Sequence, residues 1–218
     1  TGLYHDRIKH EDGTIEDVKI KLTLTMTDYK MLKKHYHVYD CKILHGCYFT
    51  TEIGLFDKYI DPWKEKKQHS KGAEREEAKL FMNNLYGKLA TNDNSSFKIV
   101  EVEDGIIRYK TVVEHNKKVG YIPIGSAITS YARHFTISHA QKNFFGANKK
   151  GFKYADTDSI HCDCEEKDLI GIEVHPTEFN HWKIESYWDK AIFVRQKTYI
   201  EHITHEDGEE VNPYYNIK

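Results

Sequence analysis

Apolar and polar residues change period several times along this chain, and each change marks an element. Val18, Ile20, Leu22 and Leu24 alternate with Lys19, Lys21 and Thr23, the period-two pattern of a half-buried strand, and the turn signal Glu11-Asp12-Gly13 precedes them. A hairpin is expected over residues 1–25. Tyr29, Leu32, Tyr36 and Tyr39 then recur at helical spacing, with Thr27 or Asp28 as the cap. Residues 41–51 return to an aromatic-rich strand pattern. Phe56, Tyr59, Ile60 and Trp63 line one side of a helix predicted over 55–67, which Pro62 should kink or restart. Ser70-Lys71-Gly72 breaks the period before a second helix over 73–90, so the two form an antiparallel hairpin.

The pattern turns strand-like again at Phe97-Lys98-Ile99-Val100-Glu101-Val102, with a turn at Glu103-Asp104-Gly105 and a return strand over 106–113. A helix is predicted over 124–145 with Ile128, Ala132, Phe135 and His139 at its semi-apolar spacing; Thr129, Ala132 and Arg133 share a face. Residues 153–164 read as strand, turn, strand. Residues 191–202 read as one strand, which would put the odd-numbered Arg195, Lys197 and Tyr199 in line on one side.

Charge narrows the picture only locally. Lys plus Arg total 32 against 34 Asp plus Glu, so no overall basic field advertises a polyanion partner. Residues 58–88 hold Lys64, Lys66, Lys67, Lys71, Arg75 and Lys79, interleaved with acids, and could be either an anion-binding patch or a solvated mixed surface. With 30% charged residues and no apolar run of membrane-spanning length or signal peptide, a soluble protein is expected. The absence of an initiator Met before Thr1 suggests a trimmed polypeptide. Cys162-x-Cys164 lacks the usual zinc spacing, and reduced thiols are the expectation for Cys41, Cys47, Cys162 and Cys164. An unrelated zinc protein using the His and Cys residues is the weakest alternative and would carry stoichiometric metal.

Two stretches carry candidate chemistry. In Tyr154-Ala155-Asp156-Thr157-Asp158-Ser159, two carboxylates two residues apart in an extended segment would point to one side, about 6 to 7 Å apart at Cα. Such a pair suits Mg²⁺, which keeps waters and binds one or two carboxylates plus substrate phosphates; a solvated turn is the alternative. On the second helix, Arg75, Lys79, Asn83 and Tyr86 fall within about 80° of one another, opposite Ala78, Phe81, Leu85 and Leu89. That edge could clamp a triphosphate and stack on a base, or be an ordinary basic face.

Together these stretches resemble motifs B and C of the family B DNA polymerases, closest in spelling to the protein-primed, phi-29-type phage subgroup. Motif B reads Lys79-x-x-x-Asn83-Asn84-x-Tyr86-Gly87, with Asn84 in place of the family's Ser, and motif C reads Tyr154-x-Asp156-Thr157-Asp158-Ser159. Thr129-x-x-Ala132-Arg133 and Lys197-x-Tyr199 look like two further motifs in the family's order. The resemblance implies an α+β fold, a partial palm with a two-helix fingers hairpin and β-hairpin insertions. Residues 1–50 would be the distal part of the TPR1-like insertion leading into the palm, 51–91 the fingers, 92–120 the TPR2-like arm, and 121–218 palm without thumb.

The same resemblance implies a DNA-directed DNA polymerase acting in viral or plasmid replication within a bacterial host's cytoplasm. Asp156 and Asp158 would be the catalytic ligands of two Mg²⁺ ions, with Mn²⁺ as a substitute. Lys67, Arg75, Lys79, Asn83, Tyr86 and Gly87 would meet the deoxynucleoside triphosphate. Thr129, Ala132, Arg133, Tyr154, Thr157, Lys197 and Tyr199 would meet primer-template DNA; a terminal protein is a further expected partner. The family's third essential carboxylate, in motif A, has no match in the sequence, so the chain alone is expected to be inactive. A non-catalytic module binding DNA or terminal protein is the competing reading.

Overall fold

The computed structural model describes residues 6–18, 20–91, 95–114 and 118–218, and the chain divides into two compact units between Asp40 and Cys41. In the first unit β1 (Asp6–Lys9) and β2 (Ile15–Val18) pair antiparallel around the expected turn, where Asp12 Oδ1 accepts the Thr14 N–H at 2.9 Å. The second strand is shorter than the alternation predicts. Residues 20–25 have no strand pairing and Ile20 and Leu22 are exposed; Lys19 lies outside the described residues. α1 (Met26–His35) is capped by Thr25, two residues before the first expected cap, because its Oγ1 accepts the Asp28 N–H at 3.1 Å.

In the second unit, residues 41–55 are irregular where the pattern predicts a strand, and Ile53 is 99% exposed. α2 (Asp57–His69) and α3 (Ala73–Leu89) form the expected helical hairpin. Trp63 stacks flat on Phe81 at 4.2 Å, and the Tyr59 hydroxyl donates to the Phe81 carbonyl at 2.9 Å. Pro62 neither stops nor restarts α2: it lies inside the helix, which runs on to His69 with one N–H missing from its ladder. β3 (Ser95–Glu103) and β4 (Ile106–Glu114) pair along their whole length about Asp104-Gly105, both at positive φ as a tight two-residue hairpin turn requires.

α4 (Ile122–Lys142) buries Gly125, Ser130, Thr136 and Ala140 rather than the stripe through Ile128, Ala132, Phe135 and His139. Small residues let neighbouring backbone approach, and the Ser130 hydroxyl is satisfied by the Ala127 carbonyl at 2.9 Å. β5 (Phe152–Asp156) and β6 (Ser159–Cys162) follow as a hairpin. β7 (Ser186–Arg195), β8 (Thr198–Glu206) and β9 (Glu209–Ile217) then make a three-stranded antiparallel sheet in that order. Residues 191–202 are therefore not one strand: Arg195 pairs with Thr198 across Gln196-Lys197, and Lys197, at φ 56°, is in the turn. Along β8, Tyr199, Glu201 and Ile203 alternate inward. The fold is α+β, and among the described residues the buried apolar side chains are Ala78, Ala140, Tyr199 and Ile203.

Candidate active site and nucleotide cleft

Asp156 ends β5 and Asp158 lies in the two-residue turn that leads to Ser159, so the spacing of a continuous extended strand does not apply to them. Thr157 has φ 53°, a conformation that costs a β-branched residue about 1 to 3 kcal/mol unless its surroundings enforce it. Three bonds do so. The Thr136 hydroxyl on α4 donates to the Thr157 carbonyl at 3.3 Å, Thr157 Oγ1 donates to Asp156 Oδ1 at 3.0 Å, and the Ser159 hydroxyl donates to the Asp156 carbonyl at 3.1 Å.

A second strained turn meets the first. Lys197 directs its ammonium onto Asp156 Oδ1 at 2.7 Å, and its backbone N–H donates to the Tyr154 hydroxyl at 2.8 Å. The Asp156 side chain, 20% exposed, is thereby held below the ordinary carboxylate range, chiefly by the Lys197 hydrogen bond, with Thr157 and the charge of Lys218 adding to it. The Lys197 amine is pushed up by the same bond, and Lys218 is raised by its bond to the Tyr199 side chain. Asp158 is exposed.

Under the two turns lies an aromatic support. Tyr154 stacks on Phe193 at 5.1 Å and lies 5.2 Å from Tyr199, which is 2% exposed. His161 sits among all three rings at 5.2 to 5.4 Å. Its Nδ1 donates to the buried Glu201 carboxylate at 2.6 Å, since a carboxylate only accepts, while its buried Nε2 has no hydrogen-bond partner among the described residues. Asn143, fully buried at the end of α4, fixes the hairpin from the other side. Its side-chain amide bonds the His139 and Ile170 carbonyls and the Ile170 N–H at 2.7 to 3.1 Å, and its own carbonyl accepts the Phe152 N–H at 2.8 Å. Gly151 must be glycine there: its φ is 120°, and a Cβ would come within 2.3 Å of the Asn143 carbonyl. His161, Glu201 and Asn143 carry no motif, and the alternation of β8 and the Gly before β5 were the signals available for them.

The cations gather elsewhere. Lys67 lies within the fields of Arg75 and Lys79: its amine is depressed first by burial and then by their charges, with Glu76 opposing. Arg75 also reaches the field of Asp207 at the β8–β9 turn, whose carboxyl is lowered chiefly by Lys183. Tyr86 and Thr129 share an open cleft of about 210 Å³ between α3 and α4 with Ala90, Ile122, Gly125 and Ser126. Asn83 and Gly87 are exposed on α3, as are Ala132 and Arg133 on α4. Among the described residues no hydrogen bond or ion pair joins the α3 cations to Asp156 or Asp158, and no set of three His, Cys, Asp or Glu could hold a metal. Burial drives the Cys162 thiol up to about 12 and raises Cys164.

Two carboxylates on a braced turn, a separate cluster of three cations and a cleft beside an aromatic ring suit phosphoryl transfer with a hard cation. The profile of DNA polymerase type B, organellar and viral, matches residues 7–175, and the chain belongs to that family. It is 38% identical over 199 residues to the DNA polymerase of Streptococcus phage Cp-1, and 36% identical over 201 residues to that of Bacillus phage phi29. These alignments cover 89% and 91% of this chain and 33% of each relative, so the chain spans about a third of the length of the curated relatives it matches. The solved structure of Phi29 DNA polymerase complexed with primer-template DNA and incoming nucleotide substrates matches with a TM-score of 0.75 and 32% identity, over 95% of this chain and 37% of that one. DNA polymerases work with divalent metal ions, and among the described residues no helix is long and apolar enough to cross a membrane.

Proposed function

We propose that this chain is the nucleotide-handling and part of the metal-handling portion of a protein-primed, DNA-directed DNA polymerase. The observation that carries the reading is the meeting of two strained turns, one presenting Asp156 and Asp158, the other presenting Lys197 to Asp156. Asp156 and Asp158 supply the hard, ionised oxygens that fit Mg²⁺, and Asp156 is kept ionised by its neighbours. Mg²⁺ held there would supply stabilisation of the charge that develops on attacking and leaving oxygens.

The chain's own residues do the positioning. Lys67, Arg75 and Lys79 bind the triphosphate, Arg75 as a fork and the lysines as point charges. Tyr86, with Asn83 and Gly87, bounds the cleft that takes the base pair, and Thr129 closes its α4 side. Ala132 and Arg133 lie along the template-primer backbone, where a cation fixes position without reading sequence. Tyr154 and Thr157 hold the Asp turn, and Lys197, supported by Tyr199, guides the primer end. Residues 1–50 act as the TPR1-like element towards DNA and terminal protein, 51–91 as fingers, 92–120 as the arm and 121–218 as palm. Two carboxylates are one short of the set that two-metal transfer needs in this family, so this chain alone does not extend a primer.

Calorimetry of Mg²⁺-dependent deoxynucleotide binding tests the reading. The wild-type chain is expected to bind, and the Asp156→Asn/Asp158→Asn chain to lose the Mg²⁺-dependent part. Equal binding by both would refute the metal role and leave a module that contacts DNA without metal, whose DNA affinity would fall steeply with salt.

A further inference from the structure

Three like charges at one place repel, and something must keep Lys67 beside Arg75 and Lys79 when no anion is bound. The long, flexible lysine stem would otherwise carry its ammonium out to water. The candidate is outside every motif. Residues 173–182 form a small closed loop: the Trp182 N–H donates to the Glu173 carbonyl at 2.9 Å, and the His175 N–H donates to the Trp182 carbonyl at 2.8 Å. Trp182 anchors the loop to α4 by stacking on Phe135 at 5.3 Å. At the loop's tip, next to Asn180 at φ 64°, Phe179 presents the face of its ring to α2. Lys67 Nζ lies 4.7 Å and Lys64 Nζ 5.2 Å from the ring centre, two ammonium groups three residues apart on one helical face.

A ring face carries negative potential, so it attracts a cation without neutralising it as a carboxylate would. That distinction matters at an anion site. A carboxylate holding Lys67 would cancel the charge that recruits a polyphosphate, whereas the ring leaves the charge intact and the remaining N–H donors available.

We propose that Phe179 is a positioning residue for the polyphosphate site, its ring holding Lys67 in place against the repulsion of Arg75 and Lys79. The proposal rests on the reading of these three cations as the triphosphate clamp. It assigns the loop over 173–182 a role in substrate affinity that acts through α2, with no contact of its own to the nucleotide.

The test is a calorimetric titration of the whole chain with inorganic tripolyphosphate at low salt. Phe179→Leu, which keeps an apolar side chain and loses the ring potential, should weaken binding by about three- to fivefold, the range of a partly exposed cation–ring contact. Phe179→Trp should retain wild-type affinity within about twofold, because indole is the strongest ring of this kind. In a Lys67→Ala background Phe179→Leu should have little further effect. Wild-type affinity in Phe179→Leu, equal loss in the leucine and tryptophan variants, or an undiminished effect without Lys67 would each overturn the proposal while leaving the clamp intact. A wild-type chain that ignores tripolyphosphate, or binding indifferent to Arg75→Ala and Lys79→Ala, would instead overturn the clamp itself and the role of Phe179 with it.

Discussion

Lys197 reaches Asp156 because a lysine occupies a left-handed turn position, where the backbone rather than a strand face decides its direction. The pair Asp156 and Asp158 stood out as a candidate only beside the motif B helix, and its extended-strand spacing gave way to a turn; the turn at Lys197 was not legible, since odd-numbered alternation in 191–202 reads equally well as one strand. The contact has a defined pH window. Asp156 titrates below its ordinary value, so its contribution is present above that value and is lost as pH falls through the depressed one. Lys197 titrates above its ordinary value, so its contribution is complete below that value and is lost as pH rises through the raised one. The contact is therefore intact throughout neutral pH, and with the Lys197 side chain 65% exposed it is open to screening by salt. In a carboxyl-detected NMR titration, Lys197→Met is expected to move the Asp156 midpoint up towards an ordinary carboxylate, and molar salt to move the wild-type midpoint part of the way. A midpoint indifferent to both would show that Lys197 does not hold Asp156 in solution.

The elements were largely readable where one period runs long. α2, α3, α4 and the β3–β4 hairpin lie within a few residues of their predicted bounds, and Asp104-Gly105 is the expected turn. Reading failed where tertiary packing chose the face. α4 turns Gly125, Ser130, Thr136 and Ala140 inward because close approach matters more there than apolar area, and no hydropathy period shows that. The junction of the β3–β4 arm makes the same point. The arm leaves after Thr91 and returns at Gly120, whose N–H donates to the Thr91 carbonyl at 3.1 Å. A Cβ on Gly120 would lie 2.2 Å from the Lys88 carbonyl oxygen and 2.4 Å from that of Leu89. Gly120→Ala must therefore push the arm's root away from the end of α3, and a loss of about 1 to 3 kcal/mol of stability is expected, read as a lower urea midpoint at unchanged slope, as for other overpacked sites. Ala at Gly46, which has open space and no positive φ, is the control and should leave the midpoint nearly unchanged.

At the scale of the whole molecule, apolar side chains outnumber the places this chain has to bury them. Ile192 and Val194 on β7, Tyr215 and Ile217 on β9, and Tyr48 and Ile53 in the irregular segment are all more than half exposed. Apolar surface of this kind is open to packing against a partner if it is contiguous, and the chain covers about a third of the length of the relatives it matches. The site has the same character. It holds two carboxylates and a ready ammonium, yet among the described residues no third ligand stands near them. On the proposed reading, binding and turnover separate in this polypeptide: the three cations and the Asp turn would hold a nucleotide, while two-metal displacement would draw on the further carboxylate that the family resemblance implies. The expected outcome is Mg²⁺-dependent nucleotide binding with no primer extension above background on a primed template, read on a sequencing gel with a full-length relative as positive control. Extension by the purified chain that disappears in Asp156→Asn would show that its own residues complete the metal site, and a further acidic side chain, from the segments flanking the Asp turn, would have to be the third ligand.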